Sequence, residues 1–260
     1  MIGLNLAATG LGLVLGSFIL TMAMRLQSGE SLWKRSKCDH CQDPISVIGL
    51  IPILGYALQK GRCALCGEPI SRIYPVVEIL NAVIVWLVFS KTGLTLAFLH
   101  MLVISQLFLL IAVIDFRTRL IFPQPIVLGL AAQSIWLAFF DQASVLNALL
   151  GLFIGAGLFH WIAYLYYLVR QREGLGAGDA TLLGLIGFIF GWQILFSIIF
   201  WASILGIVIG GTTLLINRQS FKESIAFAPW LVLSALLVWR FSDWTKGFLF
   251  DLSFIDIFTR

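Results

Sequence analysis

Asp115 and Asp179 are the residues with the most chemistry to offer. Asp115 closes an apolar run from Leu102 to Ile114; Asp179 follows Gly176-Ala177-Gly178 and opens a second run, Ala180 to Phe190. A carboxylate at the centre of a bilayer costs about 2.5–3.5 kcal/mol on insertion scales, so acids in such places are functional candidates. Two carboxylates held close together do not both ionise. One keeps its proton and polarises a carbonyl while the other activates water. Such a shared-proton pair cleaves peptide bonds by general acid–base catalysis. Gly174, Gly176 and Gly178 beside the second acid allow an extended substrate chain to approach closely. The bland alternative is a flexible turn with Asp179 as a helix N-cap.

The second constellation is sulfur. All four cysteines lie in one polar segment, as Cys38-Asp39-His40-Cys41 and Cys63-Ala64-Leu65-Cys66. Two C-x₂-C knuckles at this separation form a tetrathiolate zinc pattern, and a closed four-sulfur site is structural. The metal would staple a loop too small to bury a core of its own. His40 lies inside the first knuckle, but four cysteines already fill the coordination shell, which leaves it a solvated loop residue.

The elements that must carry these groups are membrane helices. The chain has 260 residues, of which 60% are hydrophobic and only 12% charged, with a mean hydropathy of +0.98. Apolar windows exceed the roughly 18 residues that mark a spanning helix. The spans expected are 2–24, 73–90, 95–114, 123–140, 145–169, 179–192, 194–216 and 225–240, an all-α polytopic fold of about eight transmembrane helices with a small zinc-binding loop domain. The first run has no basic segment before it and no cleavage site after it, and reads as a retained span. All 17 basic residues except Lys91, Arg240, Lys246 and Arg260 then fall on one side. Positive residues mark the cytosolic face. This puts the 27–72 loop and both aspartates on the cytosolic side and both termini outside. The basic residues are scattered over loops without a nucleic-acid-binding module, and no nucleic-acid partner is expected.

Single polar residues in the apolar runs carry less. Asn81 and Gln106 read as interhelical hydrogen-bonding residues, and His100 and His160 as packing residues. Gly206, Gly210 and Gly211 read as a close-packing stripe, and residues 248–258 as an interfacial tail. Glu78, just inside the second span, reads equally as an acid snorkelling to the interface or as part of a substrate site.

Six segments in order carry a resemblance. They are Gly16-Ser17-Phe18 with Arg25-Leu26, the two cysteine knuckles with Gly61-Arg62, Tyr74-Pro75-Val76-Val77-Glu78, Ile114-Asp115 with Leu120-Ile121-Phe122-Pro123, Gly176-Ala177-Gly178-Asp179 with Leu182-Leu183, and Phe227-Ala228-Pro229-Trp230-Leu231. Together they resemble the type IV prepilin peptidases, membrane aspartic proteases of the bacterial inner membrane that often also N-methylate their product. The resemblance implies Asp115 and Asp179 as catalytic residues and Cys38, Cys41, Cys63 and Cys66 as the metal set. It also implies S-adenosylmethionine as methyl donor, prepilins or pseudopilins as substrates, and pilus or type II secretion machinery as partners. On this basis residues 1–92 hold the first two spans and the zinc and methyl-transfer region. Residues 93–216 form the peptidase core, and 217–260 the last span and outer tail. The chain departs from the family at Leu20 (usually Asn), Thr181 (usually Lys) and Gln27 (often Pro). Two rival readings are a presenilin-like intramembrane aspartyl protease, which also uses Gly-x-Gly-Asp, and a transporter or proton relay using the two acids.

Overall fold

Apolar sequence without an internal proline makes the first helix, α1 (Ile2–Ser28), which runs until Gly29 turns the chain at φ +68°. The computed structural model describes residues 2–31, 34–171, 176–212 and 226–241. Among these residues the regular elements are all helices, with two isolated β-bridges in the cysteine loop. It divides into two units, Met1–Ile114 and Asp115–Arg260.

The first unit contains α1, the short α2 (Leu54–Leu58), α3 (Ile73–Thr92) and most of α4 (Leu96–Thr118). Helices α1 and α3 lie against each other because α1 has no side chain where they meet. A Cβ on Gly12 would fall 2.6 Å from the Ala82 Cα, and one on Gly16 would fall 2.9 Å from the Glu78 Cα. Asn81 ties this pair to α4. Its Nδ2 donates to the Gly12 carbonyl at 2.8 Å and to Gln106 Oε1 at 3.0 Å, and the Gln106 amide returns a bond to Asn81 Oδ1 at 3.0 Å. In an apolar environment such amides must find partners in other helices, and here they do.

The second unit continues from Asp115 through α5 (Pro123–Phe139), α6 (Val145–Phe153), α7 (Phe159–Arg170), α8 (Ala177–Phe190), α9 (Leu195–Leu205) and α10 (Ala228–Arg240). Pro123 starts α5, where its missing N–H costs nothing. The α6–α7 stretch is interrupted by a π-helical turn, Ile154–Leu158, and α9 runs on into another, Gly206–Gly210. Helix α8 is the centre of the unit, with Leu182 through Phe188 all buried. It is reached at backbone distance by α6, since a Cβ on Gly151 would strike the Gly187 carbonyl and a Cβ on Gly187 the Gly151 carbonyl. Of the packing stripe expected at Gly206, Gly210 and Gly211, Gly210 is buried. A Cβ on Gly206 would lie 3.4 Å from the Trp230 ring, while one on Gly211 would meet nothing within 4 Å among the described residues.

Among the described residues, four helical stretches are long and apolar enough to cross a membrane: Ile2–Ser28, Ile73–Thr92, Leu96–Thr118 and Gln142–Arg170. Four shorter apolar helices accompany them: Pro123–Phe139, Ala177–Phe190, Leu195–Gly210 and Ala228–Arg240. The 14 residues of α8 measure about 21 Å at 1.5 Å per residue, against a hydrocarbon core of about 30 Å. This is an all-helical membrane protein. The tail expected at residues 248–258, and Gly174, lie outside the described residues.

Candidate functional site

Helix α4 continues one turn beyond the apolar run, to Thr118, so Asp115 sits inside the helix, where the sequence had placed it at the end. Its side chain is 4% exposed. The carboxylate Oδ2 accepts the backbone N–H of Ala228 at 3.1 Å. Ala228 is the first residue of α10, where four N–H groups have no partner within the helix. The Phe227-Ala228-Pro229 segment thus supplies a hydrogen bond to an acid 113 positions away.

Asp179 is the third residue of α8 and half-buried. The N-cap is Gly176, in extended conformation, which corrects the reading of Asp179 itself as the cap. The Asp179 carboxylate reaches back to the Gly176 backbone N–H, as the third residue of a capping box does. Each aspartate therefore receives a backbone donor from a helix start. The Asp115 carboxylate also acts on Asp179 electrostatically.

Gly178 explains how the two acidic segments come together. A Cβ on it would lie 2.8 Å from the Cβ of Ile121, in the Leu120-Ile121-Phe122-Pro123 segment that follows Asp115. Only a residue without a side chain lets the α8 start approach this closely. Thr181, one turn further along α8, is exposed and turns its hydroxyl back to the Gly178 carbonyl at 2.7 Å. Leu20 is fully buried on α1. Neither offers the amide or ammonium its counterpart has.

In the first unit the four cysteines converge. Their Sγ atoms all lie within 4.8 Å of one another, and Cys38 and Cys66 are 3.8 Å apart. Zn–S bonds of about 2.3 Å in a tetrahedron set sulfurs about 3.8 Å apart, so the spacing fits zinc. All four are free thiols, and the pocket they make excludes His40, which is exposed. Backbone N–H groups of Cys66 and Leu65 point at Cys63 and hold its thiol down to about 6. Cys41 accepts the Asp43 N–H, which alone would lower it, yet burial and the neighbouring Cys38 and Cys66 sulfurs push it up to about 12. Four crowded thiols ionise together only around a cation.

The knuckles are copies of each other, a relation the sequence reading passed over. Lys37-Cys38-x-x-Cys41-Gln42-Asp43-Pro44-Ile45 repeats as Arg62-Cys63-x-x-Cys66-Gly67-Glu68-Pro69-Ile70. Cys38 N–H donates to Asp43 at 2.9 Å and Cys63 N–H to Glu68 at 2.8 Å; Gln42 and Gly67 both bond back to the first cysteine carbonyl at 3.0 Å. Both turn residues have positive φ, 61° and 73°. The signal was legible: a basic residue, C-x₂-C, an acid, proline and isoleucine, twice.

Comparison with known proteins finds matching families and relatives. Residues 11–92 match the family model described as the bacterial peptidase A24 N-terminal domain, and residues 101–211 match that of the type IV leader peptidase family. The chain is 30% identical to a prepilin leader peptidase/N-methyltransferase of Bacillus subtilis, over 89% of this chain and 92% of that protein. A protein of the same name from Dickeya chrysanthemi is 31% identical, over 89% of this chain and 90% of its own length. Another from Pseudomonas putida is 29% identical, over 91% and 90%. No solved structure matches the chain.

Proposed function

Since the chain belongs to the type IV leader peptidase family, we propose that it removes the basic leader from type IV prepilins or pseudopilins at the cytosolic membrane face. It then N-methylates the new N-terminal residue with S-adenosylmethionine. The observation that carries this reading is the pair Asp115 and Asp179, two interacting carboxylates in one unit, each fed by a backbone N–H.

The chemistry follows from the pair. The neutral acid protonates the scissile carbonyl oxygen while the ionised one takes a proton from water, whose oxygen adds to the carbonyl carbon. Collapse of the tetrahedral intermediate breaks the C–N bond, and the leaving amine takes the remaining proton. Cys38, Cys41, Cys63 and Cys66 hold a structural zinc ion that fixes the two knuckles. S-adenosylmethionine, when bound, supplies the methyl group. Residues 1–92 carry the zinc and methyl-transfer region, 93–216 the peptidase core and 217–260 the last span and outer tail. The apolar runs support eight spans and the basic loops support both termini outside; family membership supports the bacterial inner membrane, with pilus or type II secretion machinery as partners.

The test incubates the detergent-purified chain with a prepilin and reads the product N-terminus by mass spectrometry. Leader removal by the wild type and a loss of about 10³-fold or more in both Asp115→Asn and Asp179→Asn is the expected result. An uncut substrate in a well-folded wild-type preparation would sink the proposal.

A further inference from the structure

Glu78 is the other buried acid among the described residues, and the cleavage chemistry makes no use of it. It is the sixth residue of α3, 5% exposed, in a helix apolar and long enough to cross a membrane. Its carboxylate takes no part in the ion pair of Lys34 with Glu30. Its protein partner is a backbone group, the N–H of Ile53, which donates to Oε2 at 2.8 Å.

Ile53 is held in an unusual state to make that bond. Its φ of 62° and ψ of −51°, with Leu54 N–H donating to the Pro52 carbonyl at 2.6 Å, describe a γ-turn of the rare, strained hand. A β-branched residue there is a genuine outlier. Strain of this kind persists where surrounding structure imposes it, and it clusters at functional sites. The turn lies midway between the two cysteine knuckles. The zinc loop is thereby fastened directly to the buried acid.

One N–H does not neutralise a carboxylate in an apolar span; a cation or a proton must. The proposed reaction brings two cations to this unit. One is the substrate's new N-terminal amine, an ammonium at neutral pH. The other is the sulfonium of the methyl donor. In the transfer the ammonium first loses a proton to water. The freed nitrogen lone pair then forms the N–C bond as the S–C bond breaks, and that electron pair stays on sulfur, leaving a neutral thioether and a methylammonium. We propose that Glu78 is the anionic contact that holds a cationic reactant of this methyl-transfer step, with Ile53 fixing its orientation. The inference rests on the function proposed above and adds a binding residue to it.

Three full-length chains decide it: wild type, Glu78→Gln and Glu78→Asp. Glutamine keeps an oxygen acceptor for the Ile53 N–H and removes the charge; aspartate keeps the charge. Leader cleavage and methylation are read separately on one prepilin by mass spectrometry, and binding of S-adenosylmethionine and of uncharged S-adenosylhomocysteine is measured by calorimetry. The expected result is cleavage within about threefold of wild type in both variants, with methylation down about 100-fold in Glu78→Gln and partly recovered in Glu78→Asp. If the sulfonium is the ligand, Glu78→Gln binds S-adenosylmethionine about tenfold more weakly and S-adenosylhomocysteine unchanged. If it is the ammonium, both bind unchanged and the KM for the cleaved peptide rises. Wild-type methylation by Glu78→Gln, with both affinities intact, overturns the assignment alone. So does a wild type that cleaves without methylating, or a methylation loss that Glu78→Asp shares in full. A wild type that does not cleave overturns the proposed function, and this inference with it.

Discussion

Ala228 N–H donates to Asp115 Oδ2 at 3.1 Å, so the first peptide of one helix orients the acid on another. This gives the Phe227-Ala228-Pro229 segment a role that no side chain in it explains. Ala228 itself is fully buried and contributes only its backbone.

Replacing the Phe227–Ala228 amide by an ester, through incorporation of the α-hydroxy acid at 228, deletes this donor and leaves the methyl group. A hydrogen bond to a charged acceptor is worth about 1.5–3 kcal/mol, which corresponds to a loss of about tenfold or more in kcat. KM for the prepilin stays within about twofold, because the donor faces the acid. Steady-state kinetics on the ester variant check this; a wild-type kcat would show that Asp115 is oriented by other means.

Gly178→Ala places a Cβ 2.8 Å from the Ile121 Cβ, and neither atom is the end of a flexible chain. Asp179 must shift with the α8 start, and displacements of about 1 Å cost as much as 10²-fold. Cleavage should fall between about 10- and 100-fold, whereas Gly10→Ala, with nothing within 4 Å, should cleave normally. Parallel rate assays on the two variants make the comparison.

Metal analysis bears on the cysteine cluster. Cys63→Ser should lose bound zinc, from about one ion per chain to a small fraction. Leader cleavage should survive, since both aspartates lie in the other unit. Elemental analysis beside the cleavage assay gives both numbers, and full zinc retention would remove Cys63 from the ligand set.

Thiol reactivity separates the cysteines in chelator-treated protein. With Cys63 lowered to about 6 and Cys41 raised to about 12, iodoacetamide at neutral pH should label Cys63 first, because the thiolate is the nucleophile. The sign for stability follows. The Cys63 contribution is complete above its ordinary value of 9.0 and disappears as pH falls through about 6. Peptide mass spectrometry across pH 5 to 9 tracks the order of labelling.

Asn81→Leu strands the Gly12 carbonyl and the Gln106 amide in an apolar interface. Bonds of this kind between membrane helices average about 0.6 kcal/mol and reach about 1.7, so a loss of roughly 1–2 kcal/mol is expected. Thermal unfolding in detergent reports it as a lowered Tm, and adding Gln106→Leu should recover part.

Much of this was legible in the chain. Long apolar runs give helices wherever backbone groups must be satisfied internally, and helices lie within a few residues of the runs expected at 2–24, 73–90 and 123–140. Asp115, Asp179 and the cysteines stood out because their chemistry is expensive in apolar or stapled surroundings. Asn81 and Gln106 were read correctly for the same reason. His160 was read as a packing residue, but it is exposed and its Nδ1 lies 2.8 Å from the Ala156 carbonyl. The contacts that were missed are made by backbone. The Ala228 donor, the Ile53 turn and the meeting of Gly151 with Gly187 depend on where peptide groups arrive in space, and residue type carries little of that.

The duplicated knuckles have a consequence for how tightly metal is held. Each copy brings two thiols, so a metal ion would be gripped by two bidentate claws joined by a tether, residues 45–61. Capture by the second claw is then an intramolecular event, governed by the effective concentration the tether imposes. Anchoring the middle of that tether at Ile53 shortens the reach of each claw. Cutting the chain between them would convert one tight chelator into two weak ones without removing a single ligand.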